Sequence, residues 1–402
     1  MQQSDAIRIG SAYSILTLSD GALRMLVLFH YYTLGYNALD LAFVFVLYEL
    51  FGVVVNLFGG QLANRIGLLN SMRIGMILQI ITLCALAIPT ELPAPWYVML
   101  FQGFAGISKD ITKISAKSAI TTLSQHNTTG LFRIIAVVTG AKNALKGAGF
   151  FVGGLLLVLF EMRVALVSLA GWVSIGLVLT LIVTNAFPPA KTKSLRGVLS
   201  PLTAVNRLAA ARIFLFGARD VWQAIALPIF VATAPNWGFW QSGSVMALYT
   251  IGYGFIQAFT PRLLAKSRTP DGRMTAQLAI IPAIICIAGA WGAQAFDLAV
   301  EPVLFVVLLF SIAFAINSAV HSFLIAAYAE EGAVSLDIGL YYSANALGRL
   351  FGTLASGWCY LEWGIIGAMI GAGMMFIPAA ILAWPLPTPH KVLKPDALAT
   401  TD

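Results

Sequence analysis

The residues best equipped for chemistry lie in the stretch 102–120, QGFAGISKDITKISAKSAI, where Lys109, Lys113 and Lys117 recur every four positions beside Asp110. On a helix that spacing puts the three ammonium groups on one face, about 6 Å apart along the axis. A row of movable cations is suited to recognising anions. Its setting is strongly apolar, and a lysine at the middle of a membrane helix costs about 2.5–3.5 kcal/mol. The row therefore needs a counter-charge, from a neighbouring helix or from a ligand. Lys117, nearest the end of the stretch, is expected at the cytoplasmic mouth, where a long side chain can snorkel to water.

Other ionisable residues fall inside apolar stretches in the same way. They are Asp20 and Arg24 in LTLSDGALRML, Glu49, Lys142 and Lys146 in AKNALKGAGFFVGG, Arg219 and Asp220 in FLFGARDVWQAI, and Arg349. Arg24, Lys109, Lys113, Lys142, Lys146, Arg219 and Arg349 make seven cations against four acids, Asp20, Glu49, Asp110 and Asp220. Helical spacing predicts the pairs Asp20–Arg24 and Asp110–Lys113. The adjacent Arg219 and Asp220 are expected to be neutralised only through partners on other helices. The surplus of about three cations calls for a multiply anionic substrate, since buried charge without a counter-ion is expensive. Asn143 and Asn345 are candidates to hydrogen-bond that substrate or one another. The four acids are expected to balance charge or to couple transport to protons. The competing reading is a purely structural network of ion pairs, strongest for a single residue such as Glu49.

Weaker candidates accompany these. His321, near Asn317, titrates near neutral pH as a free side chain and is a possible proton carrier, although a polar packing role is the plainer reading. Trp222, Tyr249, Tyr253, Tyr341 and Tyr342 are candidates to line a cavity or to pack. Pro228 is expected to kink its helix. The three cysteines, Cys84, Cys286 and Cys359, are scattered through apolar segments and form no metal-ligand pattern. No HExxH, GxSxG or phosphate-binding loop is present, so neither an enzyme nor an ATP-driven pump is expected, and no cofactor.

These residues must be positioned by membrane helices. The 402-residue chain is 59% hydrophobic and only 10% charged, against about 25% charged in soluble domains. Spanning stretches are expected at roughly 10–34, 38–63, 72–88, 95–123, 130–159, 163–186, 207–233, 241–265, 274–296, 301–328, 336–360 and 363–385. This is an all-α membrane protein of twelve transmembrane helices, arranged as two six-helix halves, 1–186 and 207–386. A central loop, 187–206, joins them, and a tail follows from 387 to 402. The N-terminus lacks the features of a cleaved signal peptide.

Orientation follows from the basic residues. Loops after even-numbered helices hold Arg65, Arg73, Lys191, Lys193, Arg196, Lys266, Arg268 and Arg273. Loops after odd-numbered helices hold Arg163 alone, with Asp40, Glu91, Glu161, Asp297, Glu301 and Glu362. Both termini and the central loop are therefore expected in the cytoplasm. The loop 329–337, with Glu330, Glu331 and Asp337, dissents, but acids count little in this rule.

Gly60-x-Leu62-Ala63-Asn64-Arg65-x-Gly67 resembles the signature between helices 2 and 3 of the major facilitator superfamily. Asn64 stands where the family has aspartate, and Leu68-Leu69 where it has a basic pair. A weak repeat supports two halves, since the first and seventh stretches each carry an Arg–Asp combination near mid-span. In that fold helices 1, 4, 7 and 10 line a central cavity, 2, 5, 8 and 11 flank it, and 3, 6, 9 and 12 face lipid. The mid-span charges here fall on the first two groups. Lys142 and Lys146 would then face the lysine row across the cavity.

Five segments carry a narrower resemblance: SDGALRMLVLFH (19–30), ELFGVVVNLFGG (49–60), GISKDITKISAKSAI (106–120), TGAKNALKGAGFFVGG (139–154) and RIFLFGARDVWQAIALPIF (212–230). They resemble the ArsJ organoarsenical efflux permeases over nearly the whole chain. That resemblance implies a multi-pass protein of the bacterial inner membrane exporting 1-arseno-3-phosphoglycerate, and hence arsenate resistance. It also implies a functional link to the glyceraldehyde-3-phosphate dehydrogenase that makes the ester. Trivalent arsenic would instead call for clustered thiols. A phosphate-ester exchanger of the same fold is the alternative. The chain is expected to act as a monomer, with the bilayer and an anionic small molecule as its partners and no nucleic acid.

Overall fold

A computed structural model describes residues 2–88, 93–124, 129–184, 187, 199–264, 270–296, 299–328 and 334–389, with side chains for all of these except 2, 121, 124, 129–141, 261–264 and 334–336. Several of the expected loop charges lie outside the described residues: Glu91, Lys191, Lys193, Arg196, Lys266, Arg268, Asp297, Glu330 and Glu331. The same is true of the tail from 390 onward.

The described chain is helical throughout its ordered elements. In order these are α1 (Gln2–Thr33), α2 (Ala38–Val44), α3 (Val46–Ile66), α4 (Leu68–Ala87), α5 (Pro95–Ser124), α6 (Thr129–Leu159), α7 (Met162–Leu181), α8 (Thr203–Gln223), α9 (Ala226–Thr233), α10 (Phe239–Leu264), α11 (Gly272–Ala295), α12 (Val300–Tyr328) and α13 (Val334–Ala383). Among the described residues, nine helical stretches are long and apolar enough to cross a membrane. α5 is long enough at 30 residues, but it carries the lysine row and Asp110.

Side-chain exposure is inverted relative to a soluble protein. On α11, Ile280, Ile281, Ile284, Ile287 and Trp291 are exposed, while Asp20, Glu49, Asp110, Arg212 and Asp220 are buried. An apolar stripe at helical spacing that faces outward is matched to lipid. The protein is a multi-pass membrane protein.

Breaks in the helices have local causes. Pro228 has no N–H and its ring collides with the carbonyl four residues earlier, so the helix parts between α8 and α9, with Ile225 at φ −130° and ψ −51°. The freed amides of Ile225 and Ala226 donate to Ser356 Oγ at 3.2 and 3.1 Å, which settles two otherwise orphaned donors. α13 is two helices run together: Gly364, at φ 61° and ψ −154°, takes a conformation that only glycine adopts cheaply. The expected loop 187–206 ends early, because α8 already begins at Thr203. α1 likewise begins at Gln2, well before the expected 10.

The chain divides into two compact units. The first comprises Met1–Gly35, Val44–Ser194 and Phe239–Ala247, and the second Tyr36–Phe43, Leu195–Gly238 and Leu248–Asp402. In the first unit α1 packs on α6 and α3 on α5. A Cβ on Gly149 of α6 would strike the Leu18 carbonyl of α1, so these glycines serve close helix packing. In the second unit α8 runs against α13. Its core combines Val205, Leu208, Leu324 and Tyr341 with an aromatic group in which Phe314 stacks on Phe310 and meets Phe216 edge-on, their centroids 5.6 and 5.4 Å away.

Candidate substrate-binding residues

The first unit gathers its charges around Tyr48 of α3. α3 and α5 approach so closely at Gly106 that a Cβ there would meet the Tyr48 backbone. One turn further on α5, Lys109 therefore lies over the Tyr48 ring, its Nζ 3.9 Å from the centroid, a cation–π contact. The Tyr48 hydroxyl donates to the Asp20 carboxylate, 2.8 and 2.9 Å from its two oxygens. Arg24 donates from Nη1 to Glu49 Oε1 at 3.0 Å, and its guanidinium sits 4.9 Å from the Phe45 centroid and 5.6 Å from that of Tyr48.

The expected Asp20–Arg24 pair does not form. The two residues share a helix face, but α3 offers each a better partner. Tyr48 takes the shorter aspartate, and Glu49 takes the longer arginine. Asp110 and Lys113 do pair, in a tight i,i+3 ion pair, and Lys109 Nζ is 3.6 Å from Asp110 Oδ2. Lys113 also donates to Asn56 Oδ1 at 3.0 Å. Lys117 is half-buried one turn further along α5. On α6, Lys142, Asn143 and Lys146 are half-buried, and Lys146 Nζ lies 5.4 Å from the Phe150 centroid.

In the second unit Arg219 meets Asp220 directly, another departure from expectation. Adjacent residues point about 100° apart on a helix, but the arginine is long enough to fold back. Its Nε and Nη2 each lie 2.6 Å from Asp220 Oδ1, and its guanidinium is 4.6 Å from the Phe216 centroid. Close approach of α13, where a Cβ on Gly352 would strike the Gly217 carbonyl and Asp220 Cβ, buries the aspartate to 4% exposure. Asn345 and Arg349 stand one turn apart on α13, both half-buried. Among the other candidates, His321 and Asn317 are buried, and Asn317 Oδ1 accepts from Thr275. Trp222, Tyr249, Tyr253 and Tyr341 are buried, whereas Tyr342 is exposed.

Sequence reasoning missed Tyr48, Asn56 and, above all, Arg212. The expected helix start at 207 puts Arg212 near a membrane surface. With α8 beginning at Thr203, Arg212 lies two and a half turns inside and is only 4% exposed. The available signal was its spacing, seven residues before Arg219 and so on the same face. The two guanidinium groups share Phe216, with Arg212 3.9 Å from its centroid.

The sequence model described as Major Facilitator Superfamily matches residues 9–292. No curated protein matches the sequence. Solved structures of similar fold include a POT family transporter in complex with a thioalcohol-conjugated peptide, at TM-score 0.76 and 12% identity over 94% of each chain. Another is the nucleoside transporter NupG, at TM-score 0.70 and 16% identity over 94% of this chain and 97% of that one. A third comes from work on proton-dependent oligopeptide transporters, at TM-score 0.69 and 13% identity over 96% of each chain. At such identities they speak for the fold alone. The matched sequence model covers well over half of the chain, and the chain belongs to the Major Facilitator Superfamily.

Proposed function

We propose that this transporter exports 1-arseno-3-phosphoglycerate from the cytoplasm of a bacterium and so confers arsenate resistance. The observation that carries the reading is the set of buried or half-buried cations on α1, α5, α6, α8 and α13, which exceeds the acids placed among them. The segments resembling ArsJ permeases name the anion. The ester has an oxyanion group at each end of a short carbon chain. Arg24, Lys109, Lys113, Lys142, Lys146, Arg219 and Arg349 are the cations suited to receive these groups, with Asn143 and Asn345 as hydrogen-bond partners. When no substrate is bound Glu49 holds Arg24, Asp110 holds Lys109 and Lys113, and Asp220 holds Arg219. Asp20, bonded to Tyr48, serves charge balance or proton coupling, and Lys117 lies toward the cytoplasmic mouth.

The proposal includes twelve spans with both termini in the cytoplasm. α2 with α3 and α8 with α9 each make one span, and α13 makes two about Gly364. Transport proceeds by alternating access. Export of an anion is favoured by an inside-negative potential, by about 2.3 kcal/mol per charge for each 100 mV, so energetics do not require proton coupling. Guanidinium and ammonium groups recognise phosphate and arsenate oxygens alike. That shared chemistry keeps a phosphate-ester exchanger as the second reading.

Arsenate-sensitive cells that make the ester through a glyceraldehyde-3-phosphate dehydrogenase provide the test. Expression of this chain is expected to restore growth on arsenate and to raise arsenate in the medium, and only when the dehydrogenase is present. Export of glycerate phosphates at the same rate without arsenate would favour the exchanger.

A further inference from the structure

We propose that Arg212 anchors a ligand oxyanion, of the phosphate or arsenate class, inside the second unit. The guanidinium is 4% exposed, and a guanidinium does not shed its proton, so its charge has to be answered by something. No carboxylate among the described residues does so. The neighbouring Asp220 is taken by Arg219. Asp337, one turn before Tyr341 on α13, makes no ion pair with Arg212.

The groups that touch the Arg212 guanidinium among the described residues are neutral. Its guanidinium faces Phe216 at 3.9 Å and Tyr341 at 4.8 Å, and Nη1 donates to Ser318 Oγ at 3.2 Å and more weakly to the Ser318 carbonyl at 3.5 Å. The Nε–H is buried and has no hydrogen-bond partner among the described residues. Leaving a charged donor unmet is costly, and an isolated buried charge more so. Beside it lie two hydroxyls bonded to each other, Tyr253 and Ser318, 3.1 Å apart. On the next turn of α12 is His321, 1% exposed, with Nδ1 unpartnered among the described residues.

This is the complement of an oxyanion. A planar fork offers a spare N–H, hydroxyl donors stand beside it, and flat aromatic walls exclude water. A neutral ligand would leave the charge unanswered, and a halide would not use the fork. Arg219, which also lies against Phe216, is already neutralised by Asp220, so the net positive charge of this pair of arginines rests on Arg212.

The identity of the ligand, though not the existence of the site, rests on the anion-export reading. The test is titration of the purified full-length protein in lipid nanodiscs with inorganic phosphate and with 3-phosphoglycerate, followed by calorimetry and by the rise in melting temperature. The wild type is expected to bind, and Arg212→Gln to bind at least tenfold more weakly. Arg212→Lys keeps the charge but not the fork. It is expected to fold even where the glutamine variant does not, and to lose affinity by about the same factor. Tyr253→Phe should weaken binding two- to threefold. If phosphate binds through Arg212 but cells that make the arseno-ester release no more arsenate with this chain than without it, the site stands and the substrate reading fails. If either Arg212 variant binds 3-phosphoglycerate as tightly as wild type, the site is overturned and the substrate reading is untouched. A wild type that binds neither anion overturns the site as well.

Discussion

Two charged clusters, one in each unit, are built differently. Around Tyr48 in the first unit, Arg24, Lys109 and Lys113 are matched by Asp20, Glu49 and Asp110, with Tyr48 touching members of both sets. In the second, Arg212 and Arg219 share the face of α8 with one acid, Asp220. The first arrangement is held together without a ligand, and substrate must compete with internal carboxylates for its cations. The second leaves Arg212 without a carboxylate partner among the described residues, a charge that an incoming anion would neutralise. Matched charge favours stability of the empty protein. Unmatched charge favours binding, since the desolvation cost has already been met by folding.

Substitutions can break this contrast, and the largest effects are expected on transport. Lys109→Ala and Arg219→Ala should each abolish arsenate resistance while leaving the amount of protein in the membrane unchanged, as measured by growth and immunoblot. Retained resistance in both would remove the basis for the binding role. Next in size is Glu49→Ala, which strands Arg24 in the matched unit. Breaking a buried pair from one side costs about 3–5 kcal/mol, and a large fall in the melting temperature of the detergent-solubilised protein is expected. Arg212→Gln should not produce a comparable fall, because it relieves an unmatched charge. Equal losses in the two variants would erase the distinction.

Tyr48→Phe is a milder probe of the same unit. It removes the hydroxyl bond to Asp20 and keeps the ring beneath Lys109, so a loss of about 1.5–3 kcal/mol is expected with the Lys109 contact intact. The smallest effect is expected from Lys146→Arg, which keeps the charge and changes the head group. Vesicle transport should fall only a few-fold. A loss as complete as that of Lys146→Ala would show that geometry, rather than charge, decides there.

Much of this was legible in the sequence where the interaction is local. The Asp110–Lys113 pair follows from i,i+3 spacing, and the helix break near Pro228 from proline chemistry. Competition between helices was not legible. Asp20 and Arg24 are as well spaced as Asp110 and Lys113, yet Tyr48 and Glu49 of α3 draw them apart. Ser356 capping the broken helix depends on the α8–α13 contact, which no local pattern encodes. Arg212 was hidden by a helix start misjudged by four residues, since the same arginine reads as a surface anchor or a buried cation according to that boundary. Burial of its counter-charges, or their absence, becomes visible only once α8, α12 and α13 are packed.

The central claim is that these buried cations serve a transported anion. It is tested most directly by uptake of radiolabelled 1-arseno-3-phosphoglycerate, generated in place by the dehydrogenase, into inside-out membrane vesicles. The account predicts saturable uptake that follows an interior-positive potential and is lost in Arg219→Ala. Uptake no greater than in vesicles lacking the protein, or uptake unchanged by Arg219→Ala, would contradict it.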